Sequence, residues 1–114
     1  MYKVLNQDNE TVAYIQSMMI LNKKREKVIG LVIGDCFFGN DNKVIGKIID
    51  KKAYLVNGDI IATIETNKDK KESEPKKGLI LEAWDILSNI KSHTSDWITI
   101  SKKWSKKSFI EVLL

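Results

Sequence analysis

Residues able to do chemistry are few in this chain and lie far apart. His93 is the only histidine, so neither a histidine metal cluster nor a zinc-protease helix can be assembled. It sits in the polar stretch 91–96 and reads as a solvated loop residue, with general base or metal ligand as the competing reading. Cys36 is the only cysteine, which rules out an intrachain disulfide or a multi-cysteine metal site. On an apolar segment it reads as a small core residue rather than a reactive thiol. The carboxylate pairs Glu72/Glu74 and Glu82/Asp85 have the spacing of solvated charge and helix surface. Paired acid and base work would need a cleft with contrasting environments. Asp50 shares a repeated position with Ser17, Gly34 and Thr66, a poor ring of ligands. Gly30, Gly34 and Gly39 lie in apolar strand sequence rather than ahead of a helix, so they form no phosphate-binding fingerprint. No catalytic, cofactor-binding or metal-binding residue is assigned, and no cofactor is expected.

A basic cluster is the remaining candidate. Lys102, Lys103, Lys106 and Lys107 surround Trp104, and in a helix the four lysines share one face while Trp104 takes another. A basic stripe with an aromatic is a common way to meet phosphate backbones. Against that, the net charge is only +4, from 19 basic and 15 acidic residues, and lysine commonly serves to keep a surface soluble.

What must position any such residue is a repeat. Four copies of a short pattern, ETVAYIQ, KVIGLVIG, KVIGKIID and DIIATIE, are centred on Ala13, Gly30, Gly46 and Ala62, at spacings of 17, 16 and 16 residues. Two before the centre stand Thr11, Val28, Val44 and Ile60; one before, Val12, Ile29, Ile45 and Ile61; two after, Ile15, Val32, Ile48 and Ile64. All are β-branched, which predicts strands. A period of two puts the columns at −2, 0 and +2 on one face and those at −1 and +1 on the other. A face running branched, small, branched predicts close backbones where only Ala or Gly fits. The other face is expected to be half covered, by the C-terminal segment or a second chain. Between centres lie second strands, Tyr2–Leu5, Met18–Leu21, Cys36–Phe38 and Ala53–Val56, and connections rich in Asn, Asp, Gly and Lys. Asn57-Gly58 is the strongest signal among them for a type I′ hairpin turn.

This unit, a strand, an Asn/Asp/Gly turn and then V-x-[G/A]-x-I, four times over residues 2–66, resembles the four-fold β-flower domain family. These are small bacterial proteins whose four β-hairpin units sit round a pseudo-four-fold axis. The resemblance implies architecture alone, with no family-wide activity to carry over. The sequence departs from the pattern in lacking Asn-Gly or Asp-Gly at three of four turns and in placing Ala at two centres.

Residues 67–78, with the only proline and no large apolar residue, predict a charged linker. Leu79, Ile80, Ala83, Trp84, Leu87 and Ile90 predict a helix over 79–91 that lays Trp84 onto the −1 column. Residues 97–101 read as strand or as a helix start, branched content favouring strand or turn. Phe109, Val112 and Leu113 predict a last helix capped by Ser105.

The expected fold class is α+β: a repeat domain over 1–66 with four hairpins round a pseudo-four-fold axis, a linker over 67–78, and a helical arm over 79–114. The longest apolar run, Val28–Phe38, is about half the ~20 residues a bilayer-spanning helix needs, so no membrane partner is expected. The start shows no secretory signal, and abundant Lys, Ile and Asn fit a cytoplasmic protein of an AT-rich bacterium. The expected function is a non-enzymatic protein-interaction or assembly module, binding a partner or its own copy. Nucleic-acid or anionic-surface binding through the basic segment is the alternative, and a small enzyme using Asp50, Cys36 or His93 the third reading.

Overall fold

The computed structural model describes residues 1–39, 44–66, 77–90 and 98–113. Eight strands form: β1 (Tyr2–Leu5), β2 (Thr11–Gln16), β3 (Met19–Asn22), β4 (Val28–Ile33), β5 (Cys36–Phe38), β6 (Val44–Ile49), β7 (Lys52–Leu55) and β8 (Ile60–Thr66). Each pairs antiparallel with the next, and β8 pairs back onto β1, from Tyr2↔Thr66 to Leu5↔Thr63, so the sheet is a closed barrel. Two helices follow, α1 (Lys77–Ser88) and the five-residue α2 (Phe109–Leu113). The α+β expectation is therefore corrected. The protein is essentially all-β, and the four units run on as one closed meander instead of standing as separate hairpins round an axis. Lys77 and Gly78, read as linker, open α1; the rest of that linker, His93 and Trp97 lie outside the described residues.

The four centres explain how so narrow a barrel closes. Ala13 pairs with Val4, Gly30 with Ile20, Gly46 with Phe37 and Ala62 with Ala53. Val4, Ile20, Phe37 and Ala53 have no exposed surface at all. An eight-stranded barrel leaves inside it room for about four side chains per layer, supplied by alternate strands. Strands β1, β3, β5 and β7 supply them in this layer, where the intervening strands contribute only Ala or Gly. A Cβ on Gly30 would strike the carbonyl of Phe38, and one on Gly46 the carbonyl of Tyr54. Small residues thus make room for the neighbouring strand's backbone and for the opposite side chain, rather than for one another.

The faces differ from simple alternation, for one reason repeated four times. Register jumps from Val4↔Ala13 to Leu5↔Thr11, from Ile20↔Gly30 to Leu21↔Val28, from Phe37↔Gly46 to Phe38↔Val44, and from Ala53↔Ala62 to Tyr54↔Ile60. The unpaired residue each time is the −1 residue: Val12, Ile29, Ile45 or Ile61. A bulge of this kind bends the strand and shifts the phase of the side chains beyond it. All four −1 residues consequently join the interior cluster with the 0 and +2 columns. At −2, Val28 and Ile60 fall outside, in the separate clusters beneath α1 and the C-terminal segment. The expected −2/0/+2 face is replaced by −1/0/+2.

Turns differ as well. Ser17-Met18 and Asp50-Lys51 have both central residues at positive φ, as a type I′ turn requires. At the Asn57-Gly58 position only Gly58 does, at +94°, and its N–H bonds the Leu55 carbonyl at 2.8 Å. The favoured hairpin signal marks a longer loop, and the tight turns lie at positions without an Asn-Gly or Asp-Gly pair.

α2 closes the barrel at the long-loop end. Phe109 lies against Phe37 with ring centroids 5.9 Å apart, Leu113 is buried, and the Leu113 carbonyl abuts Gly39. The helix is capped by Ser108, not Ser105: the Glu111 N–H donates to Ser108 Oγ at 3.2 Å, and the Ser108 N–H donates to Glu111 Oε1 at 3.0 Å. This reciprocal pair is a capping box. Ser105 Oγ accepts from the Lys107 N–H at 3.1 Å in the approach to it.

Three outcomes are expected in chemical denaturation. Gly46→Ala loses about 1–3 kcal/mol, since the new methyl must displace β7, whereas Gly78→Ala, which meets nothing within 4 Å, is neutral or stabilising by up to about 1 kcal/mol. Phe109→Ala empties the barrel mouth and loses about 3–5 kcal/mol; a loss below about 1 kcal/mol would show that α2 does not stopper the core.

Candidate functional site

The described residues among those suggested by the sequence lie at several places on the molecule. Lys102, Lys103, Lys106 and Lys107 are exposed along an irregular stretch outside helices and strands, so the helical face expected for them does not form. Trp104 among them is half-buried and packs on Tyr54, Ile60 and Ile98. Residues 98–101 take neither helix nor strand, although Trp104 forms a parallel bridge with Ile60. Cys36 is buried, its thiol donating to Asp35 Oδ1 at 3.5 Å, and Asp35 in turn pairs with Lys47 at 3.8 Å. Asp50 sits in a tight turn. His93, Glu72 and Glu74 lie outside the described residues. Among the described residues, no three or more His, Cys, Asp or Glu side chains are grouped to hold a metal ion. Ala13, Gly30, Gly46 and Ala62 belong to the barrel wall described above.

The feature with the shape of a binding surface is one the sequence placed differently. α1 lies across the outside of β3 and β4, burying Leu79 and Ile86 on Met19, Leu21, Val28 and Leu31, with Ala83, Leu87 and Ile90 at the edges. Glu82, on the same side, accepts the Val28 N–H at 3.4 Å. The buried stripe is thus rotated from the expected one. Trp84, expected as the largest buried contact, is 62% exposed, and Ile86, absent from the expected stripe, is buried. The helix covers the −2 and +1 positions, not the −1 column, because the bulges have turned that column inward.

Rotation of the helix leaves Ile80 and Trp84 facing outward beside Met18, itself 61% exposed at the tip of the β2–β3 turn, and leaves Leu81 exposed as well. Between α1 and the strands runs a groove of about 370 Å³, lined by Met18, Met19, Leu31, Ile33, Ile80 and Trp84 among others, with Ser17 the only polar residue on its lining among the described residues. Isolated exposed apolar side chains are ordinary, but a contiguous set with a groove between them marks a contact surface. Methionine and tryptophan suit that role, one adaptable and the other large and rigid. A pairing of strongly apolar helix residues with a turn methionine was legible in composition, but not in register.

No protein family, curated protein or solved structure matches the chain. The likeness to the β-flower family therefore rests on the repeat alone. Among the described residues no helix is long and apolar enough to cross a membrane.

The rotated stripe makes a direct comparison possible. At dilute protein concentration, Trp84→Ala is expected to change folding stability by less than about 0.5 kcal/mol and Ile86→Ala to cost about 2–4 kcal/mol. Thermal or denaturant melts of the two variants check this, and the reverse order would restore the unrotated stripe.

Proposed function

We propose that this protein is a non-enzymatic interaction module that associates with a second copy of itself through the outward face of α1. The observation that carries the reading is the groove between α1 and the β3–β4 face, with Trp84 and Ile80 on its lining and Leu81 exposed on the same helix. Projections and a recess in the same patch are what a two-fold interface needs, because each copy must offer both halves of the contact. The charges agree. Placing two α1 helices antiparallel, Leu81 of one beside Trp84 of the other, brings Lys77 of the first within a turn of Asp85 of the second. All four of these residues are exposed in the single chain. An antiparallel seam also sets opposite ends of the two helix dipoles beside each other, whereas a parallel one would bring like ends together.

Sedimentation velocity over a concentration series tests the reading. The wild type is expected to shift from monomer to dimer with rising concentration, and Trp84→Glu and Leu81→Glu to remain monomeric with unchanged melting temperature. A wild type that stays monomeric to about 1 mM, the weakest association such a patch could be said to encode, would overturn it.

A further inference from the structure

The bulges have a second consequence, at the long-loop end of the barrel. There each centre-bearing strand outruns one of its neighbours and leaves a notch. In the fourth unit β1 pairs with β8 only as far as Leu5↔Thr63, while Leu55 bonds the Asp59 carbonyl at 2.9 Å on the other side. Ile60 therefore presents its N–H and C=O towards the space β1 has left. The chain fills that space itself. Ile60 donates to the Lys103 carbonyl at 2.7 Å and accepts from the Ser105 N–H at 2.7 Å, with Trp104 bridging parallel to Ile60 and packed on Tyr54. This is strand addition within one molecule. In the second unit the corresponding residue is Val28, whose N–H is met by the Glu82 carboxylate at 3.4 Å.

In the first unit the corresponding residue is Thr11. Its surroundings repeat those of Ile60: Asn6 bonds the Glu10 carbonyl at 3.0 Å, matching Leu55 and Asp59, and β3 pairs with β2 only as far as Ala13↔Asn22. Beside it lies an open groove of about 420 Å³ lined by Thr11, Val12, Asn22, Lys23, Lys24 and Ile110. Glu10 is also on its rim, its carboxylate 3.4 Å from the Asn6 amide. In the occupied notch the incoming segment carries Lys102 and Lys103, and its Ser101 hydroxyl bonds the rim carboxylate of Asp59 at 2.8 Å. At the open notch Lys23 and Lys24 stand on the rim beside Glu10, so cations outnumber the one carboxylate there. Arg25 of the same loop is engaged over the Tyr14 ring at 5.1 Å, and Lys23 and Lys24 are the exposed cations among the residues lining the groove.

We infer that the notch beside Thr11 is a strand-addition site for an extended segment of another polypeptide, bearing a bulky apolar residue between acidic ones. The segment runs parallel to β2, as Lys103–Ser105 runs parallel to β8. Its carbonyl accepts from the Thr11 N–H, its following N–H donates to the Thr11 carbonyl, its apolar side chain fills the groove against Val12 and Ile110, and its carboxylates meet Lys23 and Lys24. The inference does not depend on self-association through α1, which uses a different face.

The probe is a fluorescein-labelled hexapeptide, Glu-Glu-Trp-Ser-Glu-Glu, titrated with the full chain by fluorescence anisotropy and by amide chemical shifts. Saturable binding is expected, with shifts at Thr11, Val12, Lys23 and Lys24. Replacing the peptide serine by proline removes the donor to the Thr11 carbonyl and is expected to weaken binding about tenfold, the scale of one hydrogen bond. Lys23→Glu with Lys24→Glu, both exposed and not needed for folding, is expected to weaken it by a similar factor while the melting temperature holds. The peptide Lys-Lys-Trp-Ser-Lys-Lys is expected not to compete. No binding of the acidic probe up to about 1 mM, equal binding of the proline peptide, equal binding of the lysine peptide, or shifts confined to Met18 and Trp84 would each overturn the proposal.

Discussion

Closure of eight short strands round a lumen that holds about four side chains per layer is the constraint on which the rest of this structure depends. Two devices meet it. Alternate strands withdraw their side chains, giving Ala13, Gly30, Gly46 and Ala62, while Val4, Ile20, Phe37 and Ala53 fill the layer. One bulge per unit then bends the sheet at the same place four times and brings β8 back to β1. Closure also removes the sheet edges that would otherwise template aggregation.

The same bulges decide what the outside looks like. By turning Val12, Ile29, Ile45 and Ile61 inward they leave Val28 and Ile60 on the outer surface, where α1 covers the first and residues 98–105 cover the second. They also set the register offsets that open a notch beside each unit. The proposed function draws on what is left over after closure: a helix face with more apolar surface than its own sheet covers, and a notch that none of the described residues fills. Neither needs a catalytic constellation.

Much of this was legible in the sequence, and what was not has particular causes. The β-branched columns locate the strands, because such side chains fit a pleated surface whatever the topology. The small centres announce close approach. The bulges carry no residue signature: Val12 and Ile29 look like any strand residue, so simple alternation assigned −1 to the wrong face. Closure depends on pairing between the first and last strands, which no local pattern records. For α1, a stripe through Leu79 and Ala83 can be completed by Ile80 and Trp84 or by Ile86, and tertiary contact with β4 selects Ile86. Ser108 and Glu111 form an S-x-x-E box that the sequence carries three residues beyond Ser105, the cap expected from it. The basic segment misleads because Trp104 is held by a backbone bridge to Ile60, which its lysine-rich composition does not suggest.

The most direct test of the closed, bulged barrel is a set of amide and α-proton nuclear Overhauser contacts across two seams. The account predicts cross-strand contacts between β1 and β8 at Tyr2↔Thr66 and Val4↔Ile64, together with Leu5↔Thr11 and Val4↔Ala13 but no partner for Val12. Slow amide exchange on both β1 and β8 accompanies them. Absence of the β1–β8 contacts, or a regular partner opposite Val12, would contradict it.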